Sequence, residues 1–437
     1  MLRGMEAQTI TAFLAVGTII FVGFFANLIF TKYRVPDILL LIFLGILLGP
    51  ELVGGSFHLF TKSSLADVNQ YRDLFLSTAL VLILFDGGLS LDLHTLMRSM
   101  KLATFITLLT LLCEILLVAV ALYFFLNMDI MLALVVGTII GGTSEAVVIP
   151  IARKMRIREE TKAMLVMESV ITDVLVIVIA IALMSAIVMG DVSMFFIPGE
   201  LAIDFAIGGA IGFAAGFLWL FVLQKLHNQP LSYMITVAAL FLVAGVAEIS
   251  PIESSSAVAA LMFGLAIGNR KHLKRWTTSV TLRLSSDEHI QEFHAEISFF
   301  VRTFFYVYLG LVFSFSTFDV KHLIIGLGII GIIITIRRGT SLLAWKLGDL
   351  DKTDADALFA MMPRGLAAAV LATMPYALLS SQGEPLWQES YAELILNVVL
   401  IVILGTTIVA SILIIWTERN IDRANHEESR AKMYQED

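Results

Sequence analysis

The sequence predicts an all-α polytopic membrane protein with about 13 transmembrane helices. Three observations predict it. Of the 437 residues, 58% are hydrophobic and 15% charged, where soluble domains carry about 25% charged residues. The apolar runs are about 20 residues long, as membrane helices require, rather than about 10 with alternation. The basic residues are also sorted to one side of those runs, as membrane topology demands.

The windows follow in order. The first, 10–31, is too long for a signal h-region and is followed by no small-residue cleavage site, so it reads as a retained helix. The second and third, 36–53 and 74–91, are short, and the third carries Asp86. The fourth, 101–126, holds Cys113, the single cysteine, which excludes an internal disulfide and a cysteine metal cluster. Its neighbour Glu114 reads as a helix contact or dimer-face residue. The fifth, 130–151, is interrupted at mid-span by Gly141-Gly142-Thr143-Ser144-Glu145. The sixth, 163–189, carries Glu168-Ser169-Val170-Ile171-Thr172-Asp173 at the head of an apolar run. The seventh and eighth are 201–225 and 231–249, and Ser250-Pro251 divides the eighth from the ninth, 252–268. The tenth, 294–316, contains Arg302, and the eleventh is 321–346. The twelfth, 355–380, is interrupted by Met362-Pro363-Arg364-Gly365, and the thirteenth is 392–416. A short charged tail, 417–437, follows, and the chain reads as carrying no appended soluble domain.

Of 29 lysines and arginines, this reading puts 23 on one side, including the basic loop from Arg270 to Arg283 and the tail. Four (Arg3, Lys62, Arg72, Lys321) fall on the other side, and Arg302 and Arg364 lie inside helices. The positive-inside rule then sets the N-terminus outside and the C-terminus in the cytoplasm. The chain reads as one membrane transporter domain, 1–437. Two six-helix repeats, 10–189 and 231–416, flank the linker helix 201–225. An odd linker makes the repeats inverted, and the two interruptions fall in the fifth helix of each. Broken helices at matching positions point to a transport site at the repeat interface.

The sixth helix carries the chemistry. An ionised acid at mid-bilayer costs roughly 2.5–3.5 kcal/mol even on the lenient insertion scale, so a chain keeps one there for an ion or a proton. Ser169 and Asp173 are four apart and share a helix face; Glu168 and Thr172 share a second face about 100° round. One helix thus offers an oxygen-lined spot for a cation and, beside it, an acid that needs its own partner.

These residues resemble the monovalent cation:proton antiporters of the sodium/proton exchanger type, over nearly the whole chain. The resemblance rests on Arg34-Val35-Pro36-Asp37-Ile38 with Leu44-Gly45-Ile46-Leu47-Leu48-Gly49-Pro50, on Leu84-Phe85-Asp86-Gly87-Gly88-Leu89, and on the run Glu168 to Asp173. It rests equally on Phe299-Phe300-Val301-Arg302 and Pro363-Arg364-Gly365-Leu366. It implies that Asp173 binds proton or cation, that Ser169 and Thr143 are further ligands of Na⁺ or a similar ion, and that Asp86 stands near the ion. Thr172 completes the ion-binding candidates. Glu168 would pair with Arg364 as a structural ion pair, and Arg302 would neutralise the negative core. The family often has Thr-Asp-Pro in the broken fifth helix; here the run is Thr143-Ser144-Glu145, so the carboxylate is shifted by one. The sixth helix of the family usually reads Asn-Asp or Asp-Asp at its end; here it reads Thr172-Asp173.

The expected function is secondary active exchange of protons for a monovalent cation, Na⁺ first and Li⁺ or K⁺ as alternatives. Asp173 would alternate between proton and dehydrated cation. Thr172 cannot titrate, which favours one-for-one, electroneutral exchange. The half-helix ends would help to hold the ion's charge, and the resemblance implies alternating access in which the third to sixth and tenth to thirteenth spans move against the rest. No cofactor and no nucleic acid are expected, the partners being ions and the lipid of a cell inner membrane; the resemblance also implies a second copy of the chain. A sodium-coupled solute symporter is the alternative, although no polar and aromatic cluster for an organic solute stands out. A channel would need ring symmetry. The chain is not read as an enzyme, since the motifs of aspartyl and serine intramembrane proteases do not occur in it.

Overall fold

The structure is a computed structural model that describes residues 17–26, 28–29, 36–49, 51–52, 72–90, 101–188, 199–225, 232–249, 255–270, 287–313, 318–348, 350–379 and 389–433. Among these residues the regular structure is entirely helical. Arg34-Val35, Pro50, Ser250-Pro251 and the basic loop after Arg270 lie outside the described residues.

In chain order the helices are α1 (Gly17–Ala26), α2 (Asp37–Leu48), α3 (Arg72–Ser90), α4 (Lys101–Leu126), α5 (Ile130–Gly141), α6 (Glu145–Lys154), α7 (Glu159–Val188) and α8 (Gly199–Lys225). There follow α9 (Ser232–Ala247), α10 (Ser256–Gly268), α11 (Asp287–Val312), α12 (Val320–Leu347), α13 (Lys352–Ala360), α14 (Leu366–Leu379) and α15 (Glu389–Met433). The fifth window is therefore the pair α5 and α6, and the twelfth is the pair α13 and α14. Among the described residues, six stretches are long and apolar enough to cross a membrane: Leu102–Leu126, Ile130–Ala152, Glu159–Ile187, Phe205–Leu223, Val320–Leu347 and Tyr391–Arg419. The other apolar helices are shorter.

Helix starts are set by side-chain caps. Asp129 accepts the amides of Met131 and Leu132 at the head of α5, and Ser255 accepts that of Val258 at the head of α10. Asp319 accepts the amide of Lys321 at the head of α12. Each satisfies amides that no helix carbonyl can reach. Two helices outrun their apolar windows. α11 begins at Asp287, and α15 runs on to Met433, because the flanking Glu, Arg and Ala residues are good helix formers that need no membrane.

The helices pack as two groups. α4 to α7 and α12 to α15 pack on one another, and α2 packs on α11 while α3 and α8 pack on α10. This corrects the division expected from the sequence: the third and tenth spans (α3 and α11) belong with the second and ninth. Glycine is the reason. A Cβ on Gly45 would run into the carbonyl of Val307, and one on Gly310 into that of Ile42. Gly88 and Gly264 do the same for α3 and α10, against the carbonyls of Leu261 and Phe85. Backbones that approach this closely hold through dispersion, the force left to helices in lipid. The two groups meet where α3 and α11 touch α14, and where α3 touches α7.

Candidate functional site

The site is built where the two broken helices cross. α5 stops at Gly141 and α6 starts at Glu145, with Gly142 and Ser144 extended between them. α13 stops at Ala360 and α14 starts at Leu366. The two breaks are joined directly, the amide of Ser144 donating to the carbonyl of Pro363 at 2.8 Å. Gly365 lies against Ser144 so tightly that a side chain there would overlap the serine. Each break leaves carbonyls with no helical partner at the C-terminal end of the half-helix before it, carrying the negative end of a helix dipole. An arginine meets each of them.

Arg364, 0% exposed, donates from Nη1 to the carbonyls of Gly141 (3.2 Å) and Gly142 (2.7 Å) at the end of α5. Its Nη2 lies 2.6 Å from Oε1 of Glu114. Arg337, on α12, donates to the carbonyls of Leu358 (2.8 Å) and Met361 at the end of α13 and pairs with Glu168. The expected Glu168–Arg364 pair is thus corrected to Glu168–Arg337 and Glu114–Arg364. Arg364 is already committed to the end of α5 and to Glu114. Arg337, counted from the sequence among the basic residues at the membrane face, is buried inside. Glu114 is likewise an ion-pair partner in the core, and among the described contacts no dimer face is needed to explain it.

Asp173 sits at the opposite pole of the break. Its Oδ2 accepts the amide of Glu145 at 3.4 Å, so the carboxylate faces the positive N-terminal end of α6. Thr172, one residue earlier, fastens the extended segment: its Oγ1 accepts the amide of Thr143 at 3.1 Å and lies 3.3 Å from the Thr143 hydroxyl. The Thr172 hydroxyl itself donates to the carbonyl of Glu168 at 2.9 Å. Ser169 is fully buried, with its hydroxyl turned to the carbonyl of Val166 at 3.0 Å.

Asp86 approaches from α3. A Cβ on the adjacent Gly87 would touch Val174, next to Asp173, and Asp86 is within electrostatic reach of both Asp173 and Glu145. Three acids from α3, α6 and α7 therefore surround one spot, and Oε2 of Glu145 is buried with no hydrogen-bond partner. Arg302, on α11, is also within reach of Glu145. Its ion pair, however, is with Asp37 of α2, at 3.4 Å, so the neutralising charge expected of Arg302 is largely spent on Asp37. One turn further along α11, the buried Tyr306 hydroxyl faces the same region, near Ser144, Arg302 and Asp173.

The structure thus gathers Asp173, Thr172, Thr143, Ser144, Glu145 and Asp86, and holds Arg302 beside them. Arg364 is on the far side of the α5–α6 break, and Glu168 faces α12. Sequence reasoning missed Arg337, Tyr306 and the partners chosen by Asp37 and Glu114. For Glu114 a signal was present, since it is a charge inside a long apolar run.

The family described as sodium/hydrogen exchanger, transmembrane, matches residues 16–418. The K(+)/H(+) antiporter NhaP of Alkalimonas amylolytica is 26% identical over 348 residues, 78% of this chain and 55% of its own, so the chain spans about half the length of that relative. The probable Na(+)/H(+) antiporter 2 of Methanocaldococcus jannaschii is 26% identical over 355 residues, 79% of this chain and 80% of its own. Among solved structures, the sodium proton antiporter MjNhaP1 of M. jannaschii at pH 8 superposes with a TM-score of 0.73 at 20% identity, covering 93% of this chain and 99% of that one. Its electron-microscopy structure gives 0.68 at 20% identity, with 93% and 97% covered. At that identity the likeness is one of fold.

Proposed function

The chain belongs to the sodium/hydrogen exchanger family, and on that premise we propose that it exchanges protons for a monovalent cation across the membrane by alternating access. The observation that carries this reading is the Asp173 carboxylate at the head of α6, beside the crossing of two broken helices. Proton and dehydrated cation compete there for one acid. Ser169 and Thr143 serve as further ligands once the Ser169 hydroxyl swings from Val166. Thr172 holds the extended segment in register, and Asp86 and Glu145 add negative charge near the ion. Because Thr172 carries no proton, one cation exchanges for one proton, and competition alone couples the fluxes.

Two inverted halves, each of six spans about the linker α8, are supported by the pairing of crossings. If each span matches the one seven later, the crossing of the second span with the tenth (α2 with α11) maps onto that of the ninth with the third (α10 with α3). These are two of the closest glycine-mediated contacts in the protein. In this reading α4 to α7 and α12 to α15 move as one body against α2, α3 and α8 to α11, shifting Asp173 between the two faces of a cell membrane. The N-terminus lies outside and the C-terminus in the cytoplasm, and the chain works as a homodimer.

Sodium is the cation to test first, with lithium beside it. Potassium is the second reading, favoured by the K(+)/H(+) antiporter among the relatives. The test is proton movement in inside-out vesicles with a preformed pH gradient, after addition of Na⁺, K⁺ or choline. Wild type should collapse the gradient with Na⁺ or K⁺ and not with choline, and Asp173→Asn should be inactive. Exchange that survives Asp173→Asn, or wild type inert to every cation, would sink the proposal; the latter result would favour a sodium-coupled symporter.

A further inference from the structure

Building on the exchange reading above, we propose that the hydroxyl of Tyr306 is a direct oxygen ligand of the transported cation and helps to set which cation the site prefers. Tyr306 is 0% exposed, and its hydroxyl oxygen has no hydrogen-bond partner in the protein. The Ser144 side chain is beside it without the geometry of a hydrogen bond. Asp173 is within electrostatic reach, as are Arg302 and Asp37, but those two are paired with each other. Across the same spot, Oε2 of Glu145 is also buried and unpartnered.

Buried hydroxyls are almost always bonded, and each exception calls for an explanation. A buried hydroxyl without a partner is a cost that phenylalanine would not incur. The chain places phenylalanine at both preceding positions, Phe304 and Phe305, and packs Phe305 as completely as Tyr306. A bond made in another state of the cycle would account for a phenol oxygen that has no partner in this one. That oxygen has two lone pairs, and it belongs to the group of helices that packs against the Asp173 group rather than with it. A cation arriving stripped of water needs oxygens from every side, and a neutral oxygen from the opposing body completes a shell that Asp173 and Thr143 leave open on that side. Selectivity among monovalent cations follows the number and field strength of such oxygens, so a neutral hydroxyl tunes the choice without adding charge.

The test is exchange by purified wild type and Tyr306→Phe in proteoliposomes, with apparent KM measured for Na⁺, K⁺ and Li⁺, alongside the melting temperature. The expected result is a rise of roughly tenfold in apparent KM for the preferred cation, the size of one lost charge-assisted contact. The ratio between cations should change while the melting temperature holds or rises. Three unchanged KM values, whether or not kcat falls, would overturn the proposal, and an equal rise for all three would overturn the selectivity role. Wild type inert to every cation would instead remove the exchange reading and this inference with it, which keeps the two failures distinct.

Discussion

Asp173, Ser169, Thr172, Thr143 and Asp86 were legible as a polar group because each is an oxygen-bearing side chain in a run that otherwise buries apolar mass. Their partners were less legible, because an ion pair in a membrane core is decided by what else each charge must satisfy. Arg364 could have served Glu168 by charge alone; the open carbonyls of Gly141 and Gly142 take it instead. Glu114 then balances it, at 1% exposure. Breaking such a pair leaves an unmatched buried charge and costs about 3–5 kcal/mol, whereas removing both charges is often far milder. Glu114→Gln is therefore expected to lower the melting temperature in detergent sharply, and Glu114→Gln with Arg364→Gln to recover only part, since the carbonyls of α5 stay unsatisfied. Full recovery in the double variant would mean that the arginine's bonds to those carbonyls contribute nothing. Thr172→Val keeps the shape and loses the acceptor for the Thr143 amide. A buried amide without a partner costs about 1–3 kcal/mol, so this variant should fold, melt earlier and exchange more slowly, as stopped-flow dye measurements can read.

The breaks in the fifth and twelfth windows were announced by Gly-Gly and by Pro363, which disfavour a continuous membrane helix unless protein takes up the freed backbone groups. What composition could not announce is that each break completes the other, through Ser144 and Pro363. Gly365 is the position that lets them meet. Gly365→Val should abolish exchange and reduce yield of folded protein, because its side chain overlaps Ser144. Ser144→Gly in the same chain makes room and should restore folded yield; if it does not, the crossing is not what Gly365 protects. Arg337 shows why the twelfth helix was harder to read than the fifth. It caps the end of α13 from a neighbouring helix, and beside Arg338 it looks like any basic pair at a membrane face. Only Arg338 behaves as one, half-exposed and bridging to Asp356 at 2.9 Å.

At the scale of the molecule, the all-helical nature of the apolar windows was legible in the sequence, but the packing of α3 and α11 was misassigned. Grouping by order along the chain keeps each repeat together, whereas glycines exchange the second and third spans of one half with those of the other. The boundary between the two groups supplies a test of alternating access. With Cys113→Ser as background, cysteines at Gly87 and Val174, whose positions nearly touch across the α3–α7 boundary, should cross-link and arrest exchange until reduced. Cysteines at Phe85 and Phe263, whose rings are 5.8 Å apart within one group, should cross-link without arrest. Arrest by both pairs, or by neither, would remove the case for two bodies moving past each other. The Glu114–Arg364 pair also has a consequence for how the protein is made. Glu114 and Arg364 stand 250 residues apart in the chain, and at about 5–20 residues per second a ribosome takes roughly 12–50 s to travel between them. Throughout that interval α4 is in the bilayer with an acid whose partner has not been synthesised, and α5 ends in carbonyls that nothing covers. The core of the first half is thus completed only by the second, and the late emergence of one arginine closes it.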